Sequence, residues 1–220
     1  MRKILRDNGL SLVMFGLFLL FLVGHSVAGY YDYNDDQHAH QQSLLSYTAY
    51  LTSGHFWATV CENWESEFLQ MAAYVLFTVF LFQRGSAESK DPDTPDEVDE
   101  DPRHHQHQPN APGPVRQGGM ALALYAHSLS IALGLLFLLS FLGHAAGGAK
   151  HYNAEQQAHG QPPVSTLQYM GTSRFWFESF QNWQSEFLAM GTLAVLSIWL
   201  RERGSPESKP VHHSHAKTGR

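Results

Sequence analysis

The sequence predicts an all-α integral membrane protein in which four transmembrane helices form two tandem, pseudo-symmetric helical hairpins. Three observations carry this prediction: four apolar stretches of membrane length, an ungapped internal repeat, and a segregation of charge that leaves those stretches almost uncharged. The averages conceal the pattern, because 44% apolar residues and a mean hydropathy of -0.25 would suit a soluble protein. The acidic run "DPDTPDEVDED" at 91–101 alone carries more negative charge than the net of -6 for the whole chain, so the remainder is close to neutral.

The apolar stretches are 9–29, 56–82, 121–142 and 175–200. Each is long enough to cross a hydrocarbon core of about 30 Å, which takes about 20 helical residues. The first and third are plain, as in "LVMFGLFLLFLVG" and "IALGLLFLLSFLG". The second and fourth reach that length only if the helix includes the aromatic and polar turns before "FLQMAAYVLFTVFLF" and "FLAMGTLAVLSIWL". The basic start "MRKILRDNG" followed by an apolar run and "SVA" also suits a signal peptide. Its recurrence in mid-chain as "SLSIALGLLFLLSFLGHAAGG", where no signal peptide can stand, favours two permanent spans.

Residues 11–90 align with 130–209 at a constant offset of 119 with no gap, which reads as a tandem duplication. The expected organisation is therefore a first two-helix repeat at 1–90, a disordered linker at 91–118, a second repeat at 119–209 and a disordered tail at 210–220. The linker is rich in Pro, Asp, Glu and His and has little to bury. Its "HHQH" and the terminal "VHHSHAK" read as solvated segments rather than framed metal sites. Lys and Arg flank the spans at both termini and beside the linker, while the loops 30–55 and 149–174 hold only Lys150 and Arg174. That asymmetry puts both termini and the linker in the cytoplasm and the two loops, with short interfacial helices, outside.

Two repeated features are candidates for chemistry. "NWESEFLQM" and "NWQSEFLAM" place Asn63, Ser66 and Glu67, and again Asn182, Ser185 and Glu186, at i, i+3 and i+4 on a helix, beside Trp64 and Trp183. Glu62 and Glu65 become Gln181 and Gln184 in the second copy, so Glu67 and Glu186 are the pair singled out. They either reach water at the interface with Asn and Ser as partners, or face the bundle interior and bind a cation or protons. His25 and His144 each close a span after a glycine and could clamp a haem iron or join the glutamates around a divalent metal. The plain alternative is an interfacial histidine bonded to loop backbone. In the loops, Asp36 with His40 and Glu155 with His159 stand at i and i+4, a spacing that serves a metal, an acid–base pair or a surface helix equally.

Gly-rich phosphate loops, a nucleophile elbow and the HExxH pattern are absent, and Cys61 has no partner for an internal disulfide. No soluble-type enzyme is expected, no nucleic-acid partner, and no particular cofactor. The expected partners are the lipid bilayer and either a second copy or an unidentified membrane protein.

The segments "ENWESEFLQMAAYVLFTVFLFQRGSAESK", "EVDEDPR", "TSRFWFESFQNWQSEFLAMG" and "RERGSPESKP" resemble a family of bacterial multi-pass membrane proteins catalogued as a domain of unknown function, over nearly the full length. The resemblance implies a bacterial inner-membrane protein and supplies no reaction or ligand. Three functional classes stay open: a cation- or proton-binding His/Glu pocket of His25, His144, Glu67 and Glu186, a haem- or metal-binding redox protein, and a membrane scaffold.

Overall fold

The computed structural model describes residues 2–219, and among them it is all-helical, with no strand. Four long helices alternate with short ones: α1 (Arg2–Ala39), α2 (Tyr47–Leu51), α3 (Gly54–Phe77), α4 (Gly113–Gln117), α5 (Gly119–Ala126), α6 (Ser128–Ala158), α7 (Thr166–Met170) and α8 (Ser173–Leu196). Two of them, α1 and α6, are long and apolar enough to cross a membrane. Helix α1 bends at Asn8, whose backbone leaves the helical region (φ -131°, ψ 17°), just before its apolar run. Beyond that bend its Leu, Phe and Val side chains point outward almost all round, Leu10 being 79% exposed.

The long helices run past the ends of the apolar stretches. Helix α1 continues to Ala39 and α6 to Ala158, so "YYDYNDDQHA" and "KHYNAEQQA" extend the long helices instead of forming helices of their own. No proline interrupts either segment, and both keep the helix until the chain turns at Gln41 (φ 57°) and Gly160 (φ 70°). The short loop helices are α2 and α7. Each starts at a serine whose side chain accepts from the backbone N–H three residues on, Ser46 from Ala49 and Ser165 from Gln168.

The chain divides into two compact units. The first comprises the residues up to Val60 together with Gly143–Gly171. Here the same contacts occur twice, 119 residues apart. Asn34 clamps Leu45 through both backbone groups (2.8 and 3.0 Å), and Asn153 clamps Val164 likewise (2.7 and 2.8 Å). Tyr50 and Tyr169 press on Gly29 and Gly148, where an added Cβ would lie 2.3 Å and 2.5 Å from the tyrosine side chains. A further contact occurs once: a Cβ on Gly54 of α3 would lie 2.6 Å from the carbonyl oxygen of Gly147 in α6, and one on Gly147 would lie 2.7 Å from the amide nitrogen of Ala58. These two helices touch backbone to backbone, an approach that small residues permit.

The second unit comprises Cys61–Leu142 and the chain from Thr172 onward. Aromatic edges join α6 to α8, with Phe141 against Phe175 (centroids 5.2 Å apart) and Phe137 against Trp183 (6.3 Å). The repeated "RGS-x-ESK" is a closed turn in both copies. Gly85 and Gly204 adopt positive φ (80° and 86°), while Ser89 and Ser208 accept from the backbone N–H groups of Gln83 and Glu202 (2.9 and 3.0 Å). The two closing lysines then diverge. Lys90 pairs with Asp99 (2.5 Å), whereas the ammonium of Lys209 is buried and donates to the carbonyls of Gly85, His215 (3.1 Å) and Lys217 (2.8 Å).

Both segments expected to lack structure have local order here. Residues 91–118 contain 3-10 turns at Glu97–Asp99 and Pro102–His105, capped by Asp96 and Asp101, followed by α4. Residues 210–219 fold back through Thr218 Oγ1, which accepts from the backbone of Gly85 (2.9 Å), and Gly219 N, which donates to Ser86 O (2.9 Å). Aspartate caps and the burial of Ala111 and Val115 with Leu122 order the first segment, and hydrogen bonds to Gly85 and Ser86 order the second.

The backbone contact of α3 with α6 predicts that Gly54→Ala destabilises the protein by about 1–3 kcal/mol through overpacking. Gly16→Ala, where an added Cβ meets nothing within 4 Å, should leave stability unchanged. Thermal unfolding of the detergent-solubilised variants checks both.

Candidate functional site

The second unit gathers the carboxylates. Helix α3 supplies Glu62, Glu65 and Glu67, and α8 supplies Glu186 with Asn182 and Trp183. Glu65 is completely buried (0% exposed), and its carboxylate accepts a hydrogen bond of 3.0 Å from the indole Nε1 of Trp183. Glu62 accepts from the side-chain amide of Asn182. Glu67, singled out by the repeat, is exposed, while Glu186 is half-buried and lies within electrostatic reach of Glu67. The expected Glu67/Glu186 pair is thus brought together, but the carboxylate enclosed by the protein is Glu65.

The flanking polar residues serve the helices themselves. Ser66 Oγ donates to the carbonyl of Asn63 and Ser185 Oγ to that of Asn182, each at 2.8 Å. This bond to the carbonyl three residues back is the usual refuge of a serine within a helix. Asn182 and Trp183 are the polar-stripe residues that reach a glutamate of α3.

The histidines lie in the other unit. His25 Nε2 stands 3.1 Å from Thr59 Oγ1, and its ring meets Phe56 at 5.9 Å. His144 has no accessible surface. His25 is therefore half-buried against α3, whereas His144 is fully enclosed. The expected pocket of His25, His144, Glu67 and Glu186 draws on both units, the histidines on one and the glutamates on the other.

The loop pairs are rearranged as well. Asp36 and His40 meet at 3.3 Å as the i, i+4 spacing allows, but His40 Nδ1 also donates to the backbone carbonyl of Asp36 (2.9 Å). In the second copy, His159 Nδ1 donates to the carbonyl of Glu155 (2.8 Å), while the Glu155 carboxylate turns back to His151 at 3.0 Å. Both imidazoles therefore finish a helix C-terminus, where the last carbonyls lack partners. Among the described residues no group of three or more His, Cys, Asp or Glu side chains is placed to hold a metal ion.

Three chemically notable residues are ones the repeat passes over: Glu65, His55 and His151. Their counterparts 119 residues away are Gln184, Arg174 and Asp32, so a search for shared residues discards them. The helical wheel of α3 would have found Glu65. It falls on the stripe of Gly54, Ala58, Cys61 and Ala72, spaced by four, seven, eleven and eighteen residues from Gly54, which is one face of a helix.

A family model described as a domain of unknown function, DUF6766, matches residues 1–220. The chain belongs to the DUF6766 family. No curated protein and no solved structure matches it, so the roles of residues in this DUF6766 chain rest on its own geometry.

The indole bond to Glu65 predicts a separation of two glutamates by stability. Trp183→Phe removes a donor to a buried carboxylate and should cost about 1–3 kcal/mol. Glu67→Gln, on the exposed side, should change stability by less than about 0.5 kcal/mol, with thermal unfolding again the measurement.

Proposed function

We propose that this DUF6766 chain is a bacterial inner-membrane protein that takes up and releases protons at the carboxylates between α3 and α8, with Glu65 as the proton-binding group. The observation that carries this reading is the complete burial of Glu65, whose carboxylate accepts from Trp183, in a helix of a chain with two membrane-length helices. Ionisable side chains held within membrane segments pair with one another or with polar groups and commonly belong to ion or proton pathways. Among the described residues no set of three ligand-type side chains is gathered, and an enclosed carboxylate suits a proton. Glu62, Glu67 and Glu186 supply neighbouring carboxylates along the same two helices.

The membrane topology is part of the proposal. Helices α3 and α8, of 24 residues each, are about 36 Å long at 1.5 Å per residue and complete two hairpins with α1 and α6. The sequence repeat supports the same polarity for both hairpins, and the Lys and Arg residues at the termini and linker favour the cytoplasmic side for those segments. The outward-facing Leu, Phe and Val side chains of α1 are then covered by lipid.

The test is reconstitution into sealed vesicles loaded with a pH-sensitive dye, with a proton gradient imposed. The expected result is a protein-dependent proton flux that Glu65→Gln abolishes and Glu67→Gln reduces less. Equal flux from the wild type, Glu65→Gln and empty vesicles would overturn the reading. Infrared difference spectra of the same samples give a second readout, a carboxyl band that appears on acidification and is missing in Glu65→Gln.

A further inference from the structure

The first unit contains a cluster that the carboxylate site does not use. Where α3 meets α6 at Gly54 and Gly147, the next residue of α3, His55, is set edge to face against His151 of α6, their ring centroids 4.9 Å apart. Tyr33 of α1 lies 5.1 Å from the His55 ring and 6.2 Å from that of His151, and Tyr50 of α2 lies 6.0 Å from His55. Four elements therefore converge on one imidazole. Two buried polar atoms in this cluster, His55 Nδ1 and Tyr50 Oη, have no hydrogen-bond partner among the described residues. Such orphans cost free energy, so at His55 and Tyr50 ring packing must offset two polar atoms without partners.

We infer that the His55–His151 cluster is an acid-sensitive latch that keeps α2 and the start of α3 closed on α1 and α6 at neutral pH and releases them on acidification. The physical reason is charge. Protonating His55, which is half-buried with its Nδ1 enclosed, places a cation in a packed aromatic site beside a second imidazole, where burial withholds part of its solvation. The groups that face it are His25, Asp32 and Tyr33 from α1, Tyr50 from α2, and His151 and Glu155 from α6. Lys150 of α6 adds a further cation where it donates to Thr52 O (3.3 Å). Asp32 and Glu155 favour a charged His55, but Glu155 is already engaged by His151 at 3.0 Å. Burial first, then His151, hold the His55 imidazole down to about 4.

The sign follows from linkage. The closed state holds His55 neutral, while the opened state lets it take its ordinary value of 6.5. The contribution of the latch is fully present above pH 6.5, declines as pH falls, and is gone once pH passes the closed-state value of about 4. The cluster borders an open polar groove lined by Tyr33, Gln37, His40, His151 and Glu155, of about 580 Å³, and opening would join the aromatic rings to it.

Hydrogen exchange of the full-length protein in lipid nanodiscs tests this, read by mass spectrometry on peptides covering 44–60 and corrected for the intrinsic pH dependence of exchange. Protection in that segment should fall by up to about tenfold per pH unit between pH 6.5 and 4, the slope of a single proton. Peptides from α8 should show no such slope. His55→Gln, which cannot titrate, should flatten the dependence, and His151→Gln should shrink it. A flat wild-type profile, or an unchanged slope in both variants, would overturn the inference. If a variant fails to fold, ring-labelled histidine NMR of the wild type decides, because an imidazole of His55 that titrates near 6.5 in the closed protein is incompatible with the latch.

Discussion

The rotational setting of α3 is the constraint on which the rest depends. A helix turns by about 100° per residue, so Gly54, Ala58, Cys61, Glu65 and Ala72 stand on one face, and Glu67 stands roughly opposite. Once Gly54 meets the backbone of α6 at Gly147, that narrow face is the one turned inward. The same contact sets His55 beside His151. Within the second unit the corresponding face of α3 holds the buried Glu65, and Glu67 is exposed.

The two copies of the repeat do not use their faces alike. Phe56 and Val60 are buried in α3, and their counterparts Phe175 and Ser179 are buried in α8. The next face differs: Ala58 and Cys61 are buried, whereas Phe177 and Phe180 in the corresponding places are 67% and 55% exposed. Helix α3 has small residues where α8 has phenylalanines, so α3 can be packed on a wider arc. A carboxylate can be enclosed on α3 because it is surrounded there and meets Trp183. On α8 the equivalent position is the exposed Gln184.

This asymmetry explains which site residues were legible. Residues kept in both copies turned out to include those that hold the local architecture: the Asn34 and Asn153 clamps, the glycines under Tyr50 and Tyr169, and the turns built by Ser86, Ser89, Ser205 and Ser208. These contacts lie within one copy, so each copy needs them. Contacts made between the two segments are under no such requirement, and Glu65, His55 and His151 each occur once. Repetition marked scaffolding, and the enclosed ionisable groups were found where repetition failed.

The sequence by itself determined the all-helical character, the two plain apolar helices among the four stretches it offered, and the i, i+4 approach of Asp36 to His40, because these follow from local periodicity or local bonds. Only the tertiary structure decided that Glu65 and not Glu67 is enclosed, and that Lys209 is buried among carbonyls while Lys90 pairs with Asp99. The reason is that a helical sequence defines its faces, but which face is buried depends on what another segment, distant along the chain, presents to it.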